Sequence, residues 1–268
     1  MNHLILDYEL PLRLVPFAGI LVGMALWESL SPRRPTFTPK WTRWIRNLGM
    51  VVIDSMILRL VIPVTAISVA SSAVAHGWGL FNIIGLSGWI AIALGVVVLD
   101  LAIYGQHVMF HVIPIFWRLH KVHHTDLDVD VTTGVRFHPA EVILSMGIKM
   151  GVVLLLGAPV PAVLLFEMLL NGTSMFNHGN VHLWIGFDRW LRFLIVTPDM
   201  HRVHHSVIIR ETNSNFGFNL PWWDRLFGTY RAQPAAGHDR MVIGIARYRD
   251  PKSLTLVRLL ALPLLTET

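Results

Sequence analysis

The chain has 268 residues, 53% of them hydrophobic and only 15% charged, against about a quarter charged in an ordinary soluble domain. With a mean hydropathy of +0.54, that balance argues against a soluble globular protein and for long apolar runs in a membrane. The absence of cysteine excludes disulfides, thiolate metal sites and cysteine nucleophiles, and the net charge of +5, carried by basic residues that flank apolar runs, either meets anionic lipid headgroups rather than nucleic acid or only sets the membrane topology.

The first apolar segment covers residues 11–30, with Trp27 and Glu28 near its end. Asp7 and Glu9 precede it where a cleaved signal would carry basic residues, so a retained helix is expected. A second segment covers about 50–75 and a third about 83–106. A fourth run, 141–176, is too long for one span and is broken by Gly157-Ala158-Pro159-Val160-Pro161, which reads as a helical hairpin. No linker divides the chain, so one membrane domain over 1–268 is expected.

The connection 31–47 holds Arg33, Arg34, Lys40, Arg43 and Arg46 and no acidic residue. The positive-inside rule places it in the cytoplasm. The third helix then ends on the cytoplasmic side near His107, and the hairpin returns residues 177–268 to that same side. Segments 184–196 and 254–265 mix apolar and basic residues, as interfacial helices or packed parts of a cap would.

Histidine occurs 14 times. Eleven of these lie between His107 and His205, in a repeated order. His107 and His111 form a pair spaced by four, and His120, His123 and His124 follow as HxxHH. His178 and His182 form a second pair, and His201, His204 and His205 a second HxxHH. Spacings of three and four put imidazoles on one helix face, where they converge on a metal ion. Ten ligands suit two ions with four or five each, of iron, zinc, copper or nickel type. HExxH is absent, which argues against a zincin protease, and the Glu-x-x-His of soluble di-iron bundles is absent too.

These residues resemble the fatty acid hydroxylase/sterol desaturase superfamily of membrane di-iron enzymes. HVMFH (107–111), HKVHH (120–124), NHGNVH (177–182) and HRVHH (201–205) carry the resemblance, with RFHPAE (136–141), TPDMHRVHHS (197–206) and NSNFGFNLPWWDRLFGTY (213–230). It covers about residues 100–230, the expected catalytic region, while the first hundred residues match only as generic apolar helices. The resemblance implies an all-α membrane bundle of four to five segments with a cytoplasmic histidine-rich cap. It implies two iron ions and O2 as co-substrate, and hydroxylation or desaturation of a lipid: an acyl lipid, sterol, carotenoid or ether lipid. Electrons would come from a separate cytochrome b5, ferredoxin or reductase. The implied ligands are His107, His111, His120, His123, His124, His178, His182, His201, His204 and His205. A bacterial inner membrane is the expected location, with the metals on its cytoplasmic face.

Metal-bound histidines usually donate their second N–H to a carboxylate or carbonyl. Asp100, Asp199 and the trio Asp126, Asp128 and Asp130 are candidate partners. His138 precedes Pro139 and is either such a supporting residue or a helix cap. Asp54, Arg59 and Glu167 are candidates for a pair inside the bundle, whereas His3, His76 and His238 are read as incidental. The rival readings are a zinc hydrolase, which needs a carboxylate base beside the metal, and a metal transporter, whose histidines would line a path across the bilayer.

Overall fold

The computed structural model describes residues 2–265, with side chains from Ile5 onward; His3 lies outside the described side chains. The described residues form helices, with only two isolated bridges, Pro32 to Val181 and Ser206 to Ile243. The principal helices are α1 (Glu9–Leu30), α2 (Lys40–Val61), α3 (Ala66–Ala75), α4 (Gly88–Val112), α5 (Pro114–His124), α6 (Pro139–Leu156), α7 (Val160–Asn177), α8 (Ile185–Leu191), α9 (Pro198–His204) and α10 (Leu256–Ala261). Four stretches are long and apolar enough to cross a membrane: Glu9–Leu30, Lys40–Ile83, Gly88–Val112 and Pro139–Leu156. The chain is a multi-pass membrane protein.

The second apolar segment is not one helix. Pro63 lacks the N–H that would continue α2, and the chain restarts as α3 with Thr65 capping the N–H of Ser68. The hairpin at 141–176 forms where expected. Gly157 ends α6 in a left-handed conformation (φ 66°), and a Cβ there would lie 2.5 Å from the Trp78 carbonyl oxygen. Pro159 then caps α7.

α7 is the hub, packed against α1, α3, α4 and α9. Ile67, Leu99, Val163 and Phe166 form the centre of the bundle core. A second core, containing Met50, Val122, Leu127, Leu259 and Leu262, ties α10 and the C-terminal segment to α2 and α5. That packing accounts for residues 254–265. Segment 184–196 forms only a seven-residue helix, α8, with Trp184, Phe187 and Trp190 exposed.

The loop from α5 to α6 is held by buried ions rather than by apolar packing. Arg43, counted above among loop cations, is only 2% exposed. Its Nε and Nη2 donate to the Asp126 carboxylate at 2.8 and 2.9 Å, and its Nη1 donates to Asp130 at 2.7 Å. Burial alone would raise the Asp126 carboxyl, but the Arg43 and Arg136 guanidiniums hold it well below the usual carboxylate range. Asp128 accepts the backbone N–H groups of Phe37 and Thr38 at 2.8 Å each. The three aspartates therefore hold the loop in place and do not touch a histidine of the clusters.

Candidate metal centre

The end of α4, α5, the end of α7 and α9 bring nine imidazoles into two buried groups. His107, His111, His120, His124 and His204 form one; His123, His178, His201 and His205 form the other. Within each group the candidate ligand atoms lie within 4.8 Å of one another. Helical spacing does this locally: His107 and His111 are one turn apart on α4, as are His120 and His124 on α5. The groups do not follow the two sequence sets. His123 leaves its triplet to join the second group, and His204 crosses to the first.

His182 is outside both groups and exposed. The spacing of four fails because α7 ends at Asn177 and His178 is its C-cap. Beyond that point the chain is no longer helical, and the His182 N–H donates to the Ser31 carbonyl at 3.1 Å, along the edge of the Pro32–Val181 bridge.

The ring orientations are fixed from outside. The Nδ1–H of His107 donates to the Phe216 carbonyl at 2.7 Å, that of His123 to Arg136 at 3.1 Å, that of His178 to Ser174 at 2.7 Å and that of His204 to Ser214 at 2.8 Å. His120 Nδ1 meets Glu141 Oε1 at 2.6 Å, and His111 Nδ1 meets Asn213 Oδ1 at 3.2 Å. Each of these bonds leaves Nε2 as a bare lone pair. Yet the Nε2 atoms of His107 and His120 face each other at 3.1 Å, and so do those of His123 and His178. Two lone pairs at that distance repel unless a cation lies between or beside them. The Nε2 atoms of His111, His124 and His204, and both nitrogens of His205, are buried without a partner. This donor set fits metal ions, and imidazole alone suits iron, copper, nickel or zinc.

Burial also keeps the rings in the form a metal needs. It pushes His120 and His178 down to about 3, and His123, His124, His201, His204 and His205 well below the ordinary histidine range. Neighbouring imidazoles push the same way in the last five.

The chain from residue 92 to 229 matches the family model described as Fatty acid hydroxylase. The chain belongs to the fatty acid hydroxylase family. It is 32% identical over 143 residues to an ornithine lipid hydroxylase of Rhizobium tropici, a match covering 53% of this chain and 42% of that protein. It is 27% identical over 162 residues to the human alkylglycerol monooxygenase, covering 59% of this chain and 33% of that one. The alkylglycerol monooxygenase of Danio rerio is 28% identical over 189 residues, covering 66% and 38%. The chain thus spans less than half the length of the curated relatives it matches. No solved structure matches it.

The candidate supporting residues of this fatty acid hydroxylase family member have other tasks. Asp100 accepts Trp223 Nε1–H at 2.8 Å and the Leu220 N–H at 3.2 Å; it secures the loop whose Phe216 carbonyl aims His107, without reaching a histidine. Asp199 binds Arg202, in a short contact, and Arg33 at 3.3 Å. His138 is the cap of α6: its Nδ1 accepts the Ala140 N–H at 3.2 Å, and its Nε2 donates to the Leu260 carbonyl at 3.1 Å. His76 bonds Ser72 far from the groups, and His238 lies near Asp199. Glu167 pairs with Arg13 and Lys149 rather than with Arg59.

Glu141 is the supporting residue that the sequence reading missed. It sits in the first turn of α6, 21 positions beyond His120. It is the last residue of RFHPAE (136–141), one of the segments that carry the family resemblance.

A cavity of about 170 Å³ reaches the first group and is lined by His107, His120, Glu141, Ser145, Phe137 and Phe218. A second, of about 340 Å³, shares Phe137, Val142, Met146 and Lys149 with it and extends between α1 and α2 to Arg13 and Asp54.

Proposed function

We propose that this chain is a membrane-bound di-iron hydroxylase that oxidises a C–H bond of a lipid, using O2 and electrons from a separate donor protein. The observation that carries this reading is the pair of opposed Nε2 lone pairs, His107 with His120 and His123 with His178, each 3.1 Å apart in a buried all-histidine shell. The ligands proposed are His107, His111, His120, His124 and His204 for one ion and His123, His178, His201 and His205 for the other. Bound iron would supply O2 activation, chemistry that side chains lack.

The chain's own residues supply the rest. Carbonyls and Glu141 fix the imidazole tautomers before metal arrives. The cavity beside His107 and His120 brings a substrate carbon to the first group, and Phe137, Val142 and Met146 keep that approach apolar. The relatives' names, an ornithine lipid hydroxylase and alkylglycerol monooxygenases, point to a lipid with a polar head and a long apolar body. A zinc hydrolase needs a carboxylate free to act as base beside the metal, whereas Glu141, the carboxyl beside the first group, is engaged by His120 Nδ1. A cytoplasmic position for the groups follows from the positive-inside rule, carried by Arg33, Arg34, Lys40 and Arg46.

The test is direct. Protein purified from iron-replete cells should carry about two metal ions per chain, mainly iron, by elemental mass spectrometry. Its expression should add one oxygen atom to a membrane lipid, seen by lipid mass spectrometry against a His123→Ala control. One ion or none, with an unchanged lipid profile, would refute the proposal.

A further inference from the structure

Of the nine imidazoles in the two groups, eight are buried and His111 alone is partly exposed. Its Nε2 is buried, while its Nδ1 edge meets Asn213, which lies on the surface. Trp117 covers the same spot. Its indole lies 5.0 Å from the His111 ring and 5.3 Å from that of His124, and the residue is half-buried. The cavity described above touches the first group at His107 and His120, so the group is approached from two places. One approach is apolar and inside the bundle; the other is a ligand edge at the protein surface.

That surface stands clear of the bilayer core. α4 has 25 residues, and about 20 cross the hydrocarbon. Counted from the exposed Trp89 near its start, that length ends at Met109. His111 and the turn into α5 therefore lie beyond the hydrocarbon, within reach of a water-soluble protein. The Asn213 N–H donates to the Ile209 carbonyl at 2.9 Å, and the Trp117 N–H to the Ile113 carbonyl at 2.9 Å, so both of these turns flank His111.

Ile113, Ile115, Ile208 and Ile209 are exposed there, Ile209 at 75%. Besides His111, the exposed ionisable side chains of residues 111–119 and 206–213 are Arg118 and Arg210. Glu211 is buried and accepts the Ala235 N–H. An apolar centre with a polar rim marks a protein contact, and cations on that rim select an acidic partner.

We infer that the His111 edge, flanked by Trp117, is the port through which electrons enter the metal centre, and that the face of Ile113, Ile115, Ile209, Arg118 and Arg210 docks an acidic one-electron carrier protein. This rests on the oxygenase reading above. Two carriers, each oxidised by one electron, supply the electrons and solvent supplies two protons. One oxygen atom of O2 then enters the lipid C–H bond and the other leaves as water. Because His111 is both a ligand and a surface group, each electron crosses a single imidazole between carrier and metal.

The test uses the full iron-loaded chain in lipid nanodiscs. The probes are two acidic carriers, the reduced haem domain of cytochrome b5 and a reduced [2Fe–2S] ferredoxin, with dithionite as a small reductant that needs no docking. Anaerobic stopped-flow absorbance follows their oxidation. The chain has no cysteine, so Ile209→Cys carries the sole thiol and takes a polyethylene-glycol maleimide there. That label should slow oxidation of the carriers about tenfold or more and leave dithionite reduction unchanged. The same label on Ile185→Cys, exposed on α8, should slow neither. Arg210→Glu should slow the carriers at low salt, and the deficit should shrink towards about 1 M salt as charges are screened. Arg189→Glu, on α8, should have no such effect.

Undiminished carrier oxidation after labelling at Ile209, equal slowing by the label at Ile185, or reduction by neither acidic carrier would overturn the port. An environment-sensitive thiol label at Ile209→Cys that reports acyl chains in the nanodisc would assign the face to the membrane and overturn it too. Dithionite separates the two proposals. Iron that dithionite and the carriers still reduce with Ile209 blocked leaves the oxygenase reading standing and removes only the port. A chain that holds no reducible metal overturns the oxygenase reading, and the port with it.

Discussion

Glu141 Oε1 lies 2.6 Å from His120 Nδ1, and Oε2 of the same carboxyl is buried without a partner. A carboxylate there accepts the Nδ1–H, fixes the tautomer and makes Nε2 more basic towards a metal. No other carboxylate among the described residues bonds a histidine of the two groups.

Replacing it should therefore weaken metal binding without unfolding the chain. Glu141→Leu is expected to lower metal affinity about 10–100-fold, the usual effect of losing such a partner. Glu141→Gln, which keeps an acceptor, should lose less. Chelator competition followed by elemental analysis reads both, and circular dichroism checks that helix content is unchanged.

The crossing of the histidine sets makes a prediction about single sites. His204→Ala and His205→Ala remove adjacent residues from different groups, so each should lose about one of two bound ions, and the double variant both. His182→Ala should retain the full complement. Loss of an ion in the His182 variant would show that the exposed loop contributes a ligand after all.

Arg43 is the central cation of the loop that carries residues 126–138. Arg43→Met leaves Asp130 buried without a cation and Asp126 with only the Arg136 guanidinium at 3.8 Å, at a cost of about 3–5 kcal/mol. The expected result is a strongly lowered unfolding temperature in detergent. Arg46→Met, which alters a bond to the Pro251 carbonyl at 2.9 Å, should have a much smaller effect.

Acid should destabilise the metal-free protein through its buried imidazoles. Burial holds His120 and His178 down to about 3, against an ordinary value of 6.5. Between those values the unfolded chain binds protons that the folded chain refuses. The stabilisation is present in full above about pH 6.5 and is lost as pH falls towards 3. Thermal melts of the metal-free chain across this range should show a steady fall, and the His120→Gln variant a shallower one.

The sequence by itself determined the membrane class, the hairpin break at Gly157–Pro159, the histidines and the family. These are local properties: an apolar run, a proline without its N–H and an imidazole every turn are all written within a few positions. Tertiary structure decided how the imidazoles are shared out. Which ion His123 or His204 serves depends on how α5, α7 and α9 meet, and spacing along one helix holds no information about a neighbour. His182 failed for a related reason: spacing predicts convergence only while the helix lasts, and α7 stops at Asn177. The carboxylates behaved likewise. Asp100, Asp199 and the Asp126–Asp130 trio stand near histidines in sequence, but each lies nearer to other donors in space: the Trp223 indole, Arg202 and Arg43. Glu141, 21 positions from His120, reaches its partner because α6 folds back across α5.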